Sequence, residues 1–187
     1  MKSEILVLLS GGLDSTACVA YYLNLGFKVK ALFVDYNQNA VDQEKKSAYA
    51  ISNYYCVDFQ VLKCSGLRQW GTGVIPGRNA FLLSIALLSS NLSQGLIAIG
   101  IHSGTSYYDC SPNFLLEMNN LFDCYTDGKI SISAPFLNYN KDFIWQYCLD
   151  HAVPIELTYS CEKGFLEPCG SCLSCRDREV LRACKKK

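Results

Sequence analysis

Five strand-like runs, the first of them fully apolar, recur along the chain with segments of helical length between them, and this alternation constrains the fold more than any other feature. The runs are "EILVLL" from Glu4, "KVKALFVDY" from Lys28, "VDFQVLK" from Val57, "GLIAIGI" from Gly95 and "GKISISAP" from Gly128. Between and after them lie Asp14 to Leu25 (closed by Gly26), Asn39 to Tyr54, "AFLLSIALLSSNL" from Ala80, "SPNFLLEMNNLFDCY" from Ser111 and "KDFIWQYCLDHA" from Lys141. Pro112 stands where a first helical turn tolerates proline. Continuous apolar runs belong to strands buried on both faces. Strands alternating with helices predict an α/β fold, a Rossmann-like parallel five-stranded sheet with helices on both faces. The alternation stops after Pro154. Residues 1–154 are therefore expected to form the sheet domain, and residues 155–187 a small C-terminal lobe. Ligands of such sheets bind outside the carboxyl ends of the strands, so the loops at Ser10, Asp35, Gly77 and His102 are expected to converge on one cleft.

Composition excludes several classes. Half of the 187 residues are hydrophobic and 12% are aromatic, so the chain has enough apolar side chains for a core. The formal net charge is zero, which gives no overall pull toward nucleic acid or an anionic membrane. The "KKK" at Lys185 to Lys187 reads as a solvated tail. No apolar stretch is long enough for a membrane helix, and the apolar run at the N-terminus is too short for an export signal. A cytoplasmic protein is expected. The eleven cysteines are odd in number and follow no export signal, which argues against a secreted disulfide scaffold. Cys18, Cys56, Cys124 and Cys148 lie in apolar segments and read as buried free thiols.

Two stretches carry chemistry. The first is Ser10-Gly11-Gly12-Leu13-Asp14-Ser15-Thr16, between the first strand and the first helix. Its glycines let backbone amides approach phosphate oxygens, and the helix N-terminus adds partial positive charge. Ser10, Ser15 and Thr16 offer hydroxyls, and Asp14 suits a bridging Mg²⁺. The spacing is neither that of a Walker loop nor that of a dinucleotide turn. An ordinary strand-to-helix turn is the bland alternative. The second stretch is "SCEKGFLEPCGSCLSCRDR", with Cys161, Cys169, Cys172 and Cys175. Four thiolates complete a closed tetrahedral zinc shell, which leaves no open position for catalysis. A lobe this small gains its stability from such a staple. An iron–sulfur centre and a redox pair are the rival readings. Loss of a ligand such as Cys172 is expected to affect the lobe more than the active-site chemistry.

"SGGLDS" resembles the SGGxDS pyrophosphate loop of the N-type ATP pyrophosphatases (PP-loop enzymes), which adenylate an acceptor oxygen and release pyrophosphate. Both ends of the chain resemble the 7-cyano-7-deazaguanine synthase (QueC) family. "FVDYNQNAVDQEKKSA" from Phe33, "IPGRNAFLLSIA" from Ile75, "YYDC" from Tyr107 and "TYSCEKGFLEPCGSCLSCRDR" from Thr158 look like that family's motifs. The resemblance implies an ATP-dependent carbon–nitrogen ligase. Such an enzyme adenylates 7-carboxy-7-deazaguanine, and ammonia then gives the amide and finally the nitrile of queuosine biosynthesis. It implies ATP with Mg²⁺ on Ser10 to Thr16, with Val34 and Tyr36 beside the nucleotide. Asp14, Arg78 and Lys141 become the catalytic candidates, and Gln38, Arg78, Asn79, Tyr108 and Asp109 the substrate candidates. It also implies structural Zn²⁺ on the four cysteines and a homodimer.

The chain departs from the family on the acceptor side. It is shortened between Lys63 and Pro76 and again in "GIHSGTSYYDC". No acid occurs among Ser103 to Ser106, and Ser111 replaces an arginine usual in the family. Some QueC-like proteins occur with CBASS-type anti-phage defence genes, where the same adenylate would be joined to a protein amine. A tRNA-thiolating relative and a non-catalytic nucleotide-binding module are the remaining alternatives. Neutral charge counts against the first and the intact loop against the second.

Overall fold

The computed structural model of the chain describes residues 3–69 and 73–183. Cys184, the lysine tail and the Trp70 to Thr72 part of the glycine-rich loop lie outside the described residues. The strands are β1 (Glu4–Leu8), β2 (Lys28–Asp35), β3 (Asp58–Lys63), β4 (Gly95–Ala98) and β5 (Ile130–Ser133). They form one parallel sheet in the order β3-β2-β1-β4-β5. The helices are α1 (Leu13–Asn24), α2 (Val41–Tyr54), α3 (Arg78–Ser89), α4 (Pro112–Thr126), α5 (Lys141–Asp150) and α6 (Leu173–Ala183).

Strand periodicity splits the apolar side chains between two cores. Ile5, Val7, Val29, Ala31, Phe33 and Ala98 face one layer, with Ala17, Ile51, Ile144 and Trp145 from α1, α2 and α5. Leu6, Leu8, Leu32, Val34 and Ile97 face the other, with Leu83, Phe114 and Phe122 from α3 and α4. Each fully buried Leu, Ile, Val or Phe in these layers contributes roughly 1.5–3 kcal/mol. Strands β1 and β2 are covered on both faces, as continuous apolar runs require, whereas the edge strand β3 has no buried residue.

Some local expectations change. The apolar run from Gly95 stays in strand only to Ala98. Beyond it, Gly100 turns against the first turn of α1, where an added Cβ would meet the Ser15 amide nitrogen at 2.7 Å. Helix α3 begins at Arg78 rather than Ala80, after Gly77 in the left-handed region. Cys18 and Cys148 are buried as expected, but Cys56 and Cys124 are exposed. Cys56 occupies a positive-φ turn after α2, and Cys124 lies on the outer side of α4. Helix α6 lies beyond the point where the alternation stops. Its Leu181 packs into the first core, and its Arg178 donates to the Thr158 and Ile155 carbonyls at 2.8 Å each. Among the described residues no helix is long and apolar enough to cross a membrane.

Candidate active site and cysteine centre

Strand order reverses direction at β1, since β2 and β3 extend to one side of it and β4 and β5 to the other. The loops after β1 and β4 therefore part, and the crevice between them is where open α/β sheets bind ligands. The phosphate turn sits there. Gly11 takes φ +81°, and a Cβ on it would meet the Glu44 carbonyl oxygen at 2.5 Å. The Gly11 carbonyl accepts from the Ser47 hydroxyl and the Tyr159 amide, both at 2.9 Å. Gly12 is the N-cap of α1 and supplies no side-chain cap. The first-turn amides of α1 are thus left without a side-chain acceptor, as at helix N-termini that suit an anion. The Ser15 hydroxyl accepts from the Ser10 amide (3.2 Å) and donates to the Gly12 carbonyl (3.1 Å), to which Thr16 also donates (2.7 Å). Thr16 is fully buried and Leu13 faces the core, whereas Ser10 is exposed. Thr16 and Leu13 therefore shape the turn, and the exposed Ser10 closes it, its hydroxyl accepting from the Gly12 amide at 3.3 Å and lying 3.1 Å from the Ser15 hydroxyl.

Asp14 is the charged centre of the crevice. Its Oδ2 lies 2.6 Å from Lys141 Nζ and 3.9 Å from His102 Nε2. Its Oδ1 is buried without a hydrogen-bond partner. An unpaired buried carboxylate oxygen is costly. It fits a ligand-borne cation, which Asp14 would hold through that oxygen. His102 Nδ1 accepts from the Gly104 amide at 3.2 Å, so the neutral ring carries its proton on Nε2, toward Asp14. Burial pushes the imidazole below its ordinary value, against the raising effect of Asp14. His102 and Gly100 bear on the turn without having been singled out as site residues. The glycine and histidine that directly follow an apolar run were the available signal.

The other expected residues gather at the ends of β2 and α3. Gln38 accepts from the Tyr36 amide (2.9 Å) and donates to the Val34 carbonyl (3.2 Å) and to Glu44 (3.0 Å). Its amide is therefore committed to the loop, and Val34 is buried beneath it. Burial lifts the Tyr36 phenol, opposed by the neighbouring Arg78 guanidinium. Asn79 is buried, its amide group donating to the Asp109 carbonyl at 3.0 Å and its backbone N–H facing Asp109 Oδ2 at 3.4 Å. Tyr108 is exposed and packs edge-on against Phe114. Glu44, which the sequence reading left out, lies half-buried beside this group, accepting from Gln38. Burial raises its carboxyl above the ordinary value of 4.5, against the opposing pull of Gln38 and Arg78. A raised carboxyl stabilises the fold fully below its unfolded pKa and loses that contribution as pH rises through the folded value. Glu44→Gln is thus expected to raise the melting temperature by a few degrees at about pH 8 and to converge on wild type near about pH 4, measured by scanning calorimetry.

The four sulfurs of Cys161, Cys169, Cys172 and Cys175 all lie within 4.8 Å of one another. A tetrahedron with Zn–S bonds of about 2.3 Å has edges of about 3.8 Å, so the set closes on one ion with small shifts. A polynuclear cluster spreads its cysteines around several irons. The Cys169 and Cys172 amides point at the sulfurs of Cys161 and Cys169, at 3.4 Å each. The Ser171 hydroxyl, with nearby amides, holds the Cys169 thiol down to about 5. Such donors favour thiolates, the ligating form.

The SGGLDS turn at the switch point of this sheet fits the PP-loop class of N-type ATP pyrophosphatases, to which the family match below assigns the chain. The family model described as "Queuosine biosynthesis protein QueC" matches residues 4–75 and 71–183, and the chain belongs to that family. A relative in Thermoplasma volcanium, named 7-cyano-7-deazaguanine synthase, is 35% identical over 95% of this chain and 86% of its own length. A relative of the same name in Prochlorococcus marinus subsp. pastoris is 31% identical over 96% of this chain and 92% of its own. Among solved structures, NMN synthetase from Francisella tularensis has a similar fold, with a TM-score of 0.52 at 17% identity over all of this chain and 78% of that one. A predicted subunit of tRNA methyltransferase from Methanocaldococcus jannaschii gives a TM-score of 0.52 at 11% identity, covering 79% of this chain and 76% of that one.

Proposed function

We propose that the chain is an ATP-dependent ligase that activates the carboxylate of 7-carboxy-7-deazaguanine as its adenylate and passes the acyl group to an amine. The observation that carries this reading is Asp14, in the first turn of the helix that follows the two glycines, with one oxygen held by Lys141 and the other buried and unpaired. In this reading the β and γ phosphates of ATP lie on the amides of Gly11 to Ser15 and the Ser10 hydroxyl. A carboxylate oxygen of the acid attacks the α phosphorus, the bond to the β-phosphate oxygen breaks, and pyrophosphate leaves. Ammonia then attacks the acyl carbon and AMP departs, giving the amide. A second activation, at the amide oxygen, eliminates AMP and leaves the nitrile. Lys141 balances charge at the α phosphate, and Arg78, held beside Tyr36, supplies a second cation. Mg²⁺ bound through Asp14 Oδ1 would neutralise phosphate charge. Zn²⁺ on the four cysteines, the boundary at residue 154 and a homodimer belong to the same proposal.

The nature of the amine gives a second reading, in which a protein amine replaces ammonia as in anti-phage conjugation. The short, acid-free loop from Ser103 to Ser106 at the open cleft edge favours it. The test is turnover of ATP and 7-carboxy-7-deazaguanine with Mg²⁺, with and without ammonium. AMP and pyrophosphate should form only when the acid is present, and 7-cyano-7-deazaguanine only when ammonium is too. Absence of AMP under both conditions overturns both readings. Amide alone, or a mass increase on a partner protein, selects conjugation.

A further inference from the structure

A cavity of about 420 Å³ opens between the loop that follows β4 and the loop that leads into α5. Ser103, Gly104, Asn138, Tyr139, Asn140 and Phe143 line it. We propose that this cavity seats the bicyclic base of the acid to be activated, stacked on the Tyr139–Phe143 pair. The inference rests on the proposed adenylation and names where its acceptor substrate lies.

Three observations lead there. The first is position. Ser103 and Asn140 are the chain neighbours of His102 and Lys141, the two groups that reach Asp14 Oδ2 at 3.9 and 2.6 Å. The cavity thus opens at the carboxyl ends of β4 and β5, and its Gly104 abuts the His102 ring, where an added Cβ would meet Nδ1 at 2.9 Å. The second is chemistry. None of the six lining residues is charged, as suits a neutral heterocycle whose edge carries donors and acceptors. Ser103 offers a hydroxyl, and Asn138 and Asn140 offer amides. Asn140 spends its Oδ1 on the Phe143 amide at 2.9 Å, which leaves its NH₂ group to donate. The Tyr139 and Phe143 rings are stacked at 3.9 Å and 11°, yet remain 42% and 45% exposed. Two parallel rings with so much open surface form a platform for a third planar group. The platform is anchored, because the Tyr139 amide donates to the carbonyl of buried Phe136, and Phe143 precedes buried Ile144 and Trp145. The third observation is the state of the residues at the opposite end of the cleft. The Gln38 amide is consumed by Val34, Tyr36 and Glu44, and the Asn79 amide donates to the Asp109 carbonyl. Those groups hold the fold, whereas the rings and amides of the cavity face open space.

Calorimetric titration of 7-carboxy-7-deazaguanine and, separately, of ATP into wild type, Tyr139→Ala, Phe143→Ala and Phe143→Tyr tests the proposal. Affinity for the acid is expected to fall about tenfold in each alanine variant, to survive in Phe143→Tyr, and to leave ATP affinity unchanged. A fall in ATP affinity without one for the acid makes the cavity an adenine site and overturns the proposal. Unchanged acid affinity in both alanine variants, or no binding of the acid by wild type, overturns it too. The two levels separate in turnover assays. Wild type that releases AMP with this acid, while the alanine variants keep its KM, refutes the cavity and spares the function. Wild type that binds the acid through these rings but never forms AMP refutes the function and spares the cavity.

Discussion

Asp14→Asn is expected to lower AMP and pyrophosphate release by about 10³-fold while leaving the melting temperature nearly unchanged. The substitution keeps the shape of the side chain and a hydrogen-bonding oxygen near Lys141, but removes the negative charge. Two consequences follow. The unpaired Oδ1 position loses its attraction for a cation, and the Lys141 ammonium, now 2.6 Å from a neutral group, is free to swing toward phosphate. The first effect removes stabilisation of charge that develops as pyrophosphate leaves, and electrostatic stabilisation of this kind is commonly the largest catalytic contribution. The stability cost stays small because the Lys141 side chain is 34% exposed, so solvent screens most of the lost pair. Purified variant and wild type are compared by AMP formation and by calorimetry. Retention of more than about a tenth of wild-type turnover would remove Asp14 from the chemistry. A large fall in melting temperature would show instead that the ion pair serves the fold.

The sheet was legible because its signal is local and repeated. Each run from Glu4, Lys28 and Gly95 is apolar at consecutive positions, and only strands covered on both faces make use of that. The tight strand-to-helix turn was legible for a related reason, since Gly11 takes a positive φ and has no room for a Cβ. What the sequence hid depends on contacts between distant residues. His102 becomes notable only because the β4 loop brings it to Asp14. Glu44 looks like one more charge on a surface helix until α2 packs its N-terminal turn under Gln38. Asn79 and Gln38 carry polar side chains in recognisable motifs, but the motif does not tell whether the amide faces a ligand or its own backbone. Helix α6 was obscured by its composition, because "SCRDREVLRA" is dominated by charge and shows only Cys175 and Leu181 to the interior.

Cys172→Ser is expected to disturb the phosphate turn as well as the cysteine lobe, contrary to the idea that the lobe is an independent staple. The Tyr159 amide donates to the Gly11 carbonyl at 2.9 Å, two residues before Cys161 begins the metal set. Gly164, inside the knuckle, packs so closely on the Asn39 carbonyl and Ala40 that it has no room for a Cβ. Glu162 accepts from the Ser174 amide and hydroxyl at 3.2 and 2.9 Å, capping α6 from within the knuckle. Arg178 on that helix then holds the Thr158 and Ile155 carbonyls, which fixes the strand of chain bearing Tyr159. The cysteines thus close a loop whose Tyr159 end donates to one carbonyl of the glycine turn, while α6 holds that end through Arg178. With the fourth thiolate lost, metal affinity falls and the lobe loosens, since metal binding and local folding are one equilibrium. The melting temperature should drop by about 10 °C, zinc content should fall, and ATP affinity should weaken about tenfold. Hydrogen exchange should rise at residues 10–16 together with residues 158–183. Cys124→Ser, at an exposed cysteine outside the set, should change none of these. If exchange rises across 158–183 while residues 10–16 and ATP affinity stay at wild-type values, the bracing is not energetic. In that case the Tyr159–Gly11 hydrogen bond only reports where the lobe rests.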